Sequence, residues 1–174
     1  MQNIIKKLNE TILAINDFPK PGIVFRDVTP LFAKPKLVDE VINIFANYLK
    51  NKKIDAIVGI ESRGYLFGVP LALKLNLPFI LVRKPNKLPR PVYRQEFDLE
   101  YGSSILEVQK DDIKENWNVC LIDDLLATGG TINAAEKLVE MAGAKVDSSL
   151  FLIELKDLNG KHNIESDVFS ILKY

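Results

Sequence analysis

VCLIDDLLATGGT, running from Val119 to Thr131, passes from an apolar run through two adjacent acids into small residues and hydroxyls. Val119 to Ile122 has the unbroken apolar character of a strand buried on both faces. Asp123 and Asp124 follow, and then Ala127, Gly129 and Gly130, whose lack of bulk lets backbone amides converge on an anion. Thr128 and Thr131 add hydroxyl donors where a helix begins, at its positive end. This order predicts a phosphate cradle. Two carboxylates beside a phosphate repel it unless they face sugar hydroxyls or a ligand-borne divalent cation, so the implied ligand is a phosphorylated sugar with metal. No Lys follows the glycines as in a P-loop, and Gly129-Gly130 lacks the dinucleotide spacing. A turn capped by Asp124 with a plain Gly-Gly bend would use some of the same residues. The coincidence of acids, small residues, hydroxyls and helix start favours the cradle.

Working outward, Thr131 to Ala142 has helical spacing, with Ala134, Ala135, Leu138, Val139 and Ala142 inward and Gly143 as the stop. Buried strands are expected at Asp55 to Ile60, Phe79 to Arg83, Ser149 to Leu155 and Val168 to Leu172. Helices are expected over roughly Tyr65 to Leu75 and Asp39 to Leu49, the latter with Val41, Ile42, Phe45, Tyr48 and Leu49 on one side. The alternation predicts an α/β fold, a mainly parallel twisted sheet flanked by helices, with ligands at the carboxyl ends of the strands. At the start, MQNIIKKLNETILAI suits an amphipathic helix, and Lys6, Lys7, Asn9 and Glu10 break any signal-peptide run. In FPKPGIVFRDVTPLF the prolines and Gly22 favour a shaped loop with short extended pieces. Lys84 to Gly102 shows no clear period. It reads as a lid or a solvated basic loop, with Arg83, Lys84, Lys87, Arg90 and Arg94 close together and no acid among them.

The chain has 174 residues, 47% hydrophobic and 26% charged, with 23 basic against 23 acidic side chains. That is the balance of one soluble globular domain, here 1–174, and argues against disorder or a polyanion-binding tail. Tyr65 to Val82 approaches transmembrane length but carries Lys74, Asn76, Pro70 and Pro78. A lone Cys120 excludes an internal disulfide and fits a reducing, cytoplasmic setting, and with His162 alone there is no metal-ligand cluster.

Val119 to Thr131 resembles the phosphoribosyl pyrophosphate motif of the type I phosphoribosyltransferases. Three further segments resemble that family in order: Phe18 to Leu31 its base-binding hood, Glu61 to Gly68 (ESRGYLFG) its pyrophosphate loop, and Arg83 to Gly102 its flexible loop. The resemblance implies a small N-terminal hood at about 1–34 and a lid at about 84–102. By it, Asp123 and Asp124 hold ribose hydroxyls, and Ala127, Thr128, Gly129, Gly130 and Thr131 bind the 5′-phosphate. Ser62 and Arg63, in a loop that often holds a cis peptide in this family, meet pyrophosphate with Arg83, Lys84 and Lys87, across a dimer interface in some arrangements. Alone, Arg63 would read as a surface ion pair. Phe25 and Leu125 sandwich a purine whose edge is read by backbone groups of Val24 and Arg26, although Phe25 alone would read as ordinary core. Glu100 is expected at the imidazole side of the base, or else as a solvated carboxylate at a strand edge, and Tyr101 helps to close the lid. Arg90 is given no role.

The implied reaction moves the 5-phosphoribosyl group from phosphoribosyl pyrophosphate to N9 of adenine. AMP and pyrophosphate are released, with Mg²⁺ carried by the substrate and the chain acting as a homodimer. A backbone acceptor at the hood prefers the amino group of adenine to an oxo group, which would leave a polar group unpaired at roughly 1 to 3 kcal/mol. Two rivals are another purine as acceptor and a non-catalytic regulator that senses the sugar phosphate and binds nucleic acid. Zero net charge and the lack of a helix-turn-helix oppose the second; neither nucleic acid nor membrane is expected as a partner.

Overall fold

The computed structural model describes residues 2–98 and 103–174. The chain divides into two compact units, one up to Asn47 and one from Tyr48 onward, and the expected hood lies inside the first.

In the first unit, helix α1 (Gln2–Asn9) buries Ile4 and Leu8. The expected helix through Ile15 stops early. The Thr11 hydroxyl donates to the Lys7 carbonyl at 2.7 Å, and Leu13–Asn16 forms strand β1 instead. Its partner is β2 (Val24–Asp27), antiparallel, with Ile15 opposite Phe25. The apolar run Ile12 to Ile15, β-branched at both ends, can be satisfied by a strand, and the pairing with β2 decides it. A short 3₁₀ turn over Thr29–Ala33 leads to helix α2 (Pro35–Leu49), in which Val41, Ile42, Phe45 and Leu49 are buried as their spacing predicts.

The second unit is built on five parallel strands. These are β3 (Ala56–Ile60), β4 (Phe79–Val82), β7 (Asn118–Leu126), β8 (Lys145–Glu154) and β9 (Asp167–Lys173), in the order β4-β3-β7-β8-β9. All five residues of β3 are buried, as expected for a run without polar alternation. Helix α3 (Arg63–Leu75) links β3 to β4 and packs on the side of Ile122. Helix α4 (Gly130–Met141) links β7 to β8 and shares a core with Val119 and Leu121 on the other side. Gly143 follows α4 with φ +76°, the left-handed stop its sequence position suggests.

The expectation that fails here is the irregular stretch 84–102. Val92–Asp98 is strand β5, paired antiparallel with β6 (Ser103–Gln109). Tyr93 and Phe97, two apart on either side of Gln95, pack on the core that α4 shares, while Arg94 and Glu96 face out. That is a period-2 pattern masked by its charged residues and nearby prolines.

Candidate active site

The sheet order has a switch point. From β3 the chain goes first to β4 on one side and later to β7, β8 and β9 on the other, leaving a crevice where the carboxyl ends of β3 and β7 diverge. Gly59 of β3 is opposite Ile122 of β7, so Glu61, two residues on, emerges level with Asp124 and next to Asp123. A cleft of about 420 Å³ opens there, lined by Glu61, Ser62, Arg63, Lys84, Lys87, Asp123 and Asp124.

From β3 the chain turns through Glu61 and Ser62, joined by a cis peptide, and enters α3 at Arg63. A Cβ on Gly64 would lie 2.5 Å from the Ile122 carbonyl oxygen, so only glycine lets α3 start so close to β7. That approach brings Arg63 Nε to 2.6 Å from Asp124 Oδ2, with the Asp124 carboxylate only 4% exposed. Strand β7 runs past Ile122 to Leu126, so both aspartates sit on a rigid strand end. Asp123 Oδ1 accepts the Asp124 N–H at 2.8 Å. Burial, and then the adjacent Asp124 charge, push the Asp123 carboxyl well above the usual range, against the pull of Arg63.

In the sequence Glu61 is only the head of ESRG, yet in the fold it is the hub of the basic side. Its carboxylate, 7% exposed, accepts from Arg83 Nε at 3.1 Å and from the Lys84 N–H at 3.0 Å, and pairs with the Lys87 ammonium. Burial works against its charge, but the bonds from Lys87, the Lys84 amide and Arg83 outweigh it and hold the carboxyl at about 2. The Tyr65 hydroxyl, pushed up to about 12 by burial and then by Glu61, donates to the Val82 carbonyl at 2.8 Å and ties α3 to β4.

The five basic residues of the expected lid separate into two groups. Arg83, Lys84 and Lys87 gather on Glu61, whereas Arg90 pairs with Asp112 at 2.5 Å and Arg94 with Glu107 at 2.5 Å. Glu107, 2% exposed, also receives the Asn86 N–H at 3.1 Å, and its backbone bonds Arg83 in both directions. The acids missing from the local sequence come from the turn after β3, from β6 and from the turn after β6.

The cradle residues Ala127 to Thr131 join β7 to α4. Gly129, at φ +85°, is the N-cap and makes no side-chain cap bond. The residues that shape this loop lie far along the chain. A Cβ on Gly160 would fall 2.1 Å from the Ala127 oxygen, and one on Gly129 would fall 2.3 Å from the Gly160 oxygen. Asn163 Nδ2 donates to the Thr128 carbonyl at 2.8 Å, and Asn133 Nδ2 to the Asn163 carbonyl at 2.9 Å. Buried Glu136 on α4 accepts the N–H groups of Glu165 and Ser166 at 3.1 and 2.9 Å. Local sequence offered only the left-handed, glycine-rich character of Asn159-Gly160 as a hint.

In the first unit, Phe25 is half-buried on β2 with its ring 5.1 Å from Phe18, edge to face. Val24 and Arg26 flank it, and residues two apart on a strand present their backbone groups to the same edge. Leu125 is half-buried on β7 of the second unit. Glu100 and Tyr101 lie outside the described residues. Cys120 is buried and His162 exposed, as expected.

Residues 27–172 match the family model of the phosphoribosyl transferase domain. The adenine phosphoribosyltransferase of Ureaplasma parvum serovar 3 is 51% identical over 170 residues, 98% of each chain. Among solved structures, the adenine phosphoribosyltransferase of Thermoanaerobacter pseudethanolicus is 44% identical with a TM-score of 0.95, over 98% of this chain and 99% of that one. The Saccharomyces cerevisiae enzyme, solved with an imino-altritol bisphosphate and adenine, is 38% identical with a TM-score of 0.94 over the same shares. The chain therefore belongs to the phosphoribosyltransferases and, within them, to the adenine phosphoribosyltransferase family.

Proposed function

We infer that this chain transfers the 5-phosphoribosyl group of phosphoribosyl pyrophosphate to N9 of adenine, releasing AMP and pyrophosphate. It is a transferase of purine salvage. The observation that carries this reading is the cleft at the β3/β7 switch point, where a paired-acid strand end meets a group of cations, with the small-residue β7–α4 corner following directly on that strand.

In the proposed division of labour, Asp123 and Asp124 accept from the ribose hydroxyls while Ala127 to Thr131 hold the 5′-phosphate with amides and hydroxyls. Arg63, the backbone at Ser62, Arg83, Lys84 and Lys87 take up charge on the departing pyrophosphate. As the C1′–O bond breaks, its electron pair leaves with the pyrophosphate, N9 of the base supplies the pair for the new bond at C1′, and the proton that the imidazole ring gives up at N7 passes to Glu100. Phe25 and Leu125 stack on the purine, and backbone groups of Val24 and Arg26 read its edge. Glu100 holds the imidazole side and Tyr101 helps to close the lid that keeps water from C1′. Mg²⁺ enters as part of the substrate, as counter-ion of the diphosphate.

We also propose a homodimer. Leu66, Val69 and Leu73 of α3, at i, i+3 and i+7, are 45%, 42% and 77% exposed, an apolar stripe beginning one turn from Arg63. A cytoplasmic setting is supported by the unpaired Cys120. Among the described residues no helix is long and apolar enough to cross a membrane.

The test is product formation from phosphoribosyl pyrophosphate and Mg²⁺ with adenine, hypoxanthine, guanine and xanthine in parallel. AMP alone is the expected result. IMP, GMP or XMP would retain the sugar-phosphate site and overturn the reading of Val24, Phe25 and Arg26. No nucleotide at all would overturn the enzyme.

A further inference from the structure

The cations assigned to the leaving pyrophosphate already have an anion. Glu61 places one carboxylate oxygen against Arg83 Nε and the Lys84 amide, at 3.1 and 3.0 Å, and the other against the Lys87 ammonium. The carboxylate is 7% exposed and lines the same cleft. Donors arranged for a pyrophosphate oxygen are thus arranged round a protein oxygen. We propose that Glu61 is a built-in competitor for pyrophosphate: it holds Arg83 and Lys87 in place in the free protein, gives them up to the diphosphate, and takes them back when the product leaves. This rests on the pyrophosphate reading of the cleft.

The physical argument is one of exchange. Arg83 uses its Nε on Glu61 and one terminal nitrogen on the Lys87 carbonyl at 3.2 Å, so two donors of its fork are engaged before any ligand arrives. A diphosphate that recruits Arg83 and Lys87 must break charge-assisted bonds of the kind it makes, and it leaves a buried carboxylate with fewer donors. Affinity for pyrophosphate is therefore set by a difference between two anions. A weakened hold on the leaving product favours turnover, since product release limits many enzymes of this kind of closed site. A purely structural role predicts the opposite sign: without Glu61, Arg83 and Lys87 would lose their positions and bind the diphosphate less well.

Calorimetric titration with magnesium pyrophosphate and, separately, with AMP distinguishes the two. Glu61→Gln keeps the size and an acceptor oxygen but removes the charge. It should tighten pyrophosphate binding about tenfold, the equivalent of one charge-assisted bond, and leave AMP binding unchanged. Glu61→Asp, which keeps the charge on a side chain too short to reach both Arg83 and Lys87, should tighten it by less and serves if Glu61→Gln does not fold. Weaker or unaltered pyrophosphate binding in folded variants would overturn the proposal. Lys87→Ala separates this outcome from failure of the underlying reading. If it does not weaken pyrophosphate binding, the cleft is not the pyrophosphate site; if it does while Glu61→Gln fails to tighten it, Glu61 alone is misassigned.

Discussion

Asp123 and Asp124 are neighbours with different surroundings. Asp124 is almost fully buried and answers Arg63 directly, whereas Asp123 accepts a backbone amide and is pushed towards its neutral form. Like charges this close cannot both ionise cheaply, so pairing one with a cation lets the other keep its proton longer. Asp124→Asn would remove the charge-assisted contact proposed to the ribose, worth about 1.5 to 3 kcal/mol. Arg63 is 44% exposed and stays solvated when the Asp124 charge is removed, so the fold should survive. We expect AMP, which has the ribose but no diphosphate, to bind roughly tenfold or more weakly, with pyrophosphate affinity kept. Calorimetry with the two ligands checks this; equal losses on both would remove Asp124 from the ribose.

The elements that position the site differ in how far they hold themselves together. The β7–α4 corner is legible in one line of sequence because strand, acids, small residues and helix are contiguous, and the buried strands are legible because a parallel sheet demands unbroken apolar runs. The brace beneath the corner is not, since the Thr128 carbonyl meets Asn163 across 35 residues and only folding brings them together. The same holds for Glu61 with Lys87 and for Glu107 with Arg94, pairs whose members give no sign of each other locally. Hairpin β5–β6 was hidden for another reason: Pro85, Pro89 and Pro91 and the charges that follow suggest a loop, while Tyr93 and Phe97 carry the strand period. Because the brace touches the cradle and no part of the ligand, Asn163→Ala should raise KM for phosphoribosyl pyrophosphate several-fold with little change in kcat. Asn163→Asp, which keeps size but offers no amide donor to Thr128, should behave like Ala, and Asn163→Gln should recover part of the loss. A fall in kcat at unchanged KM would contradict the positioning role.

At the scale of the molecule, the charged pairs of the cleft link folding to pH. Glu61 has an ordinary carboxyl value of 4.5 and is held at about 2 in the folded chain, so folding favours its ionised form. The stabilisation is fully present above pH 4.5 and is lost as pH falls towards 2. Urea unfolding of the native chain and of Glu61→Gln across that window should show a stability difference that shrinks with acidification. A difference constant with pH would mean that the Glu61 carboxylate gains nothing on folding.

The bond from Asn163 to Thr128 also orders events in time. Protein synthesis runs from the amino end, so a ribosome that has passed Thr131 has already added Asp123, Asp124 and the whole cradle. The residues that clamp that cradle, Gly160 and Asn163, are still to come. A nascent chain therefore carries the side chains of the proposed sugar-phosphate site well before it carries the site's shape. Substrate can help to complete folding only after Asn163 has been added, when the β8–β9 connection closes under the loop.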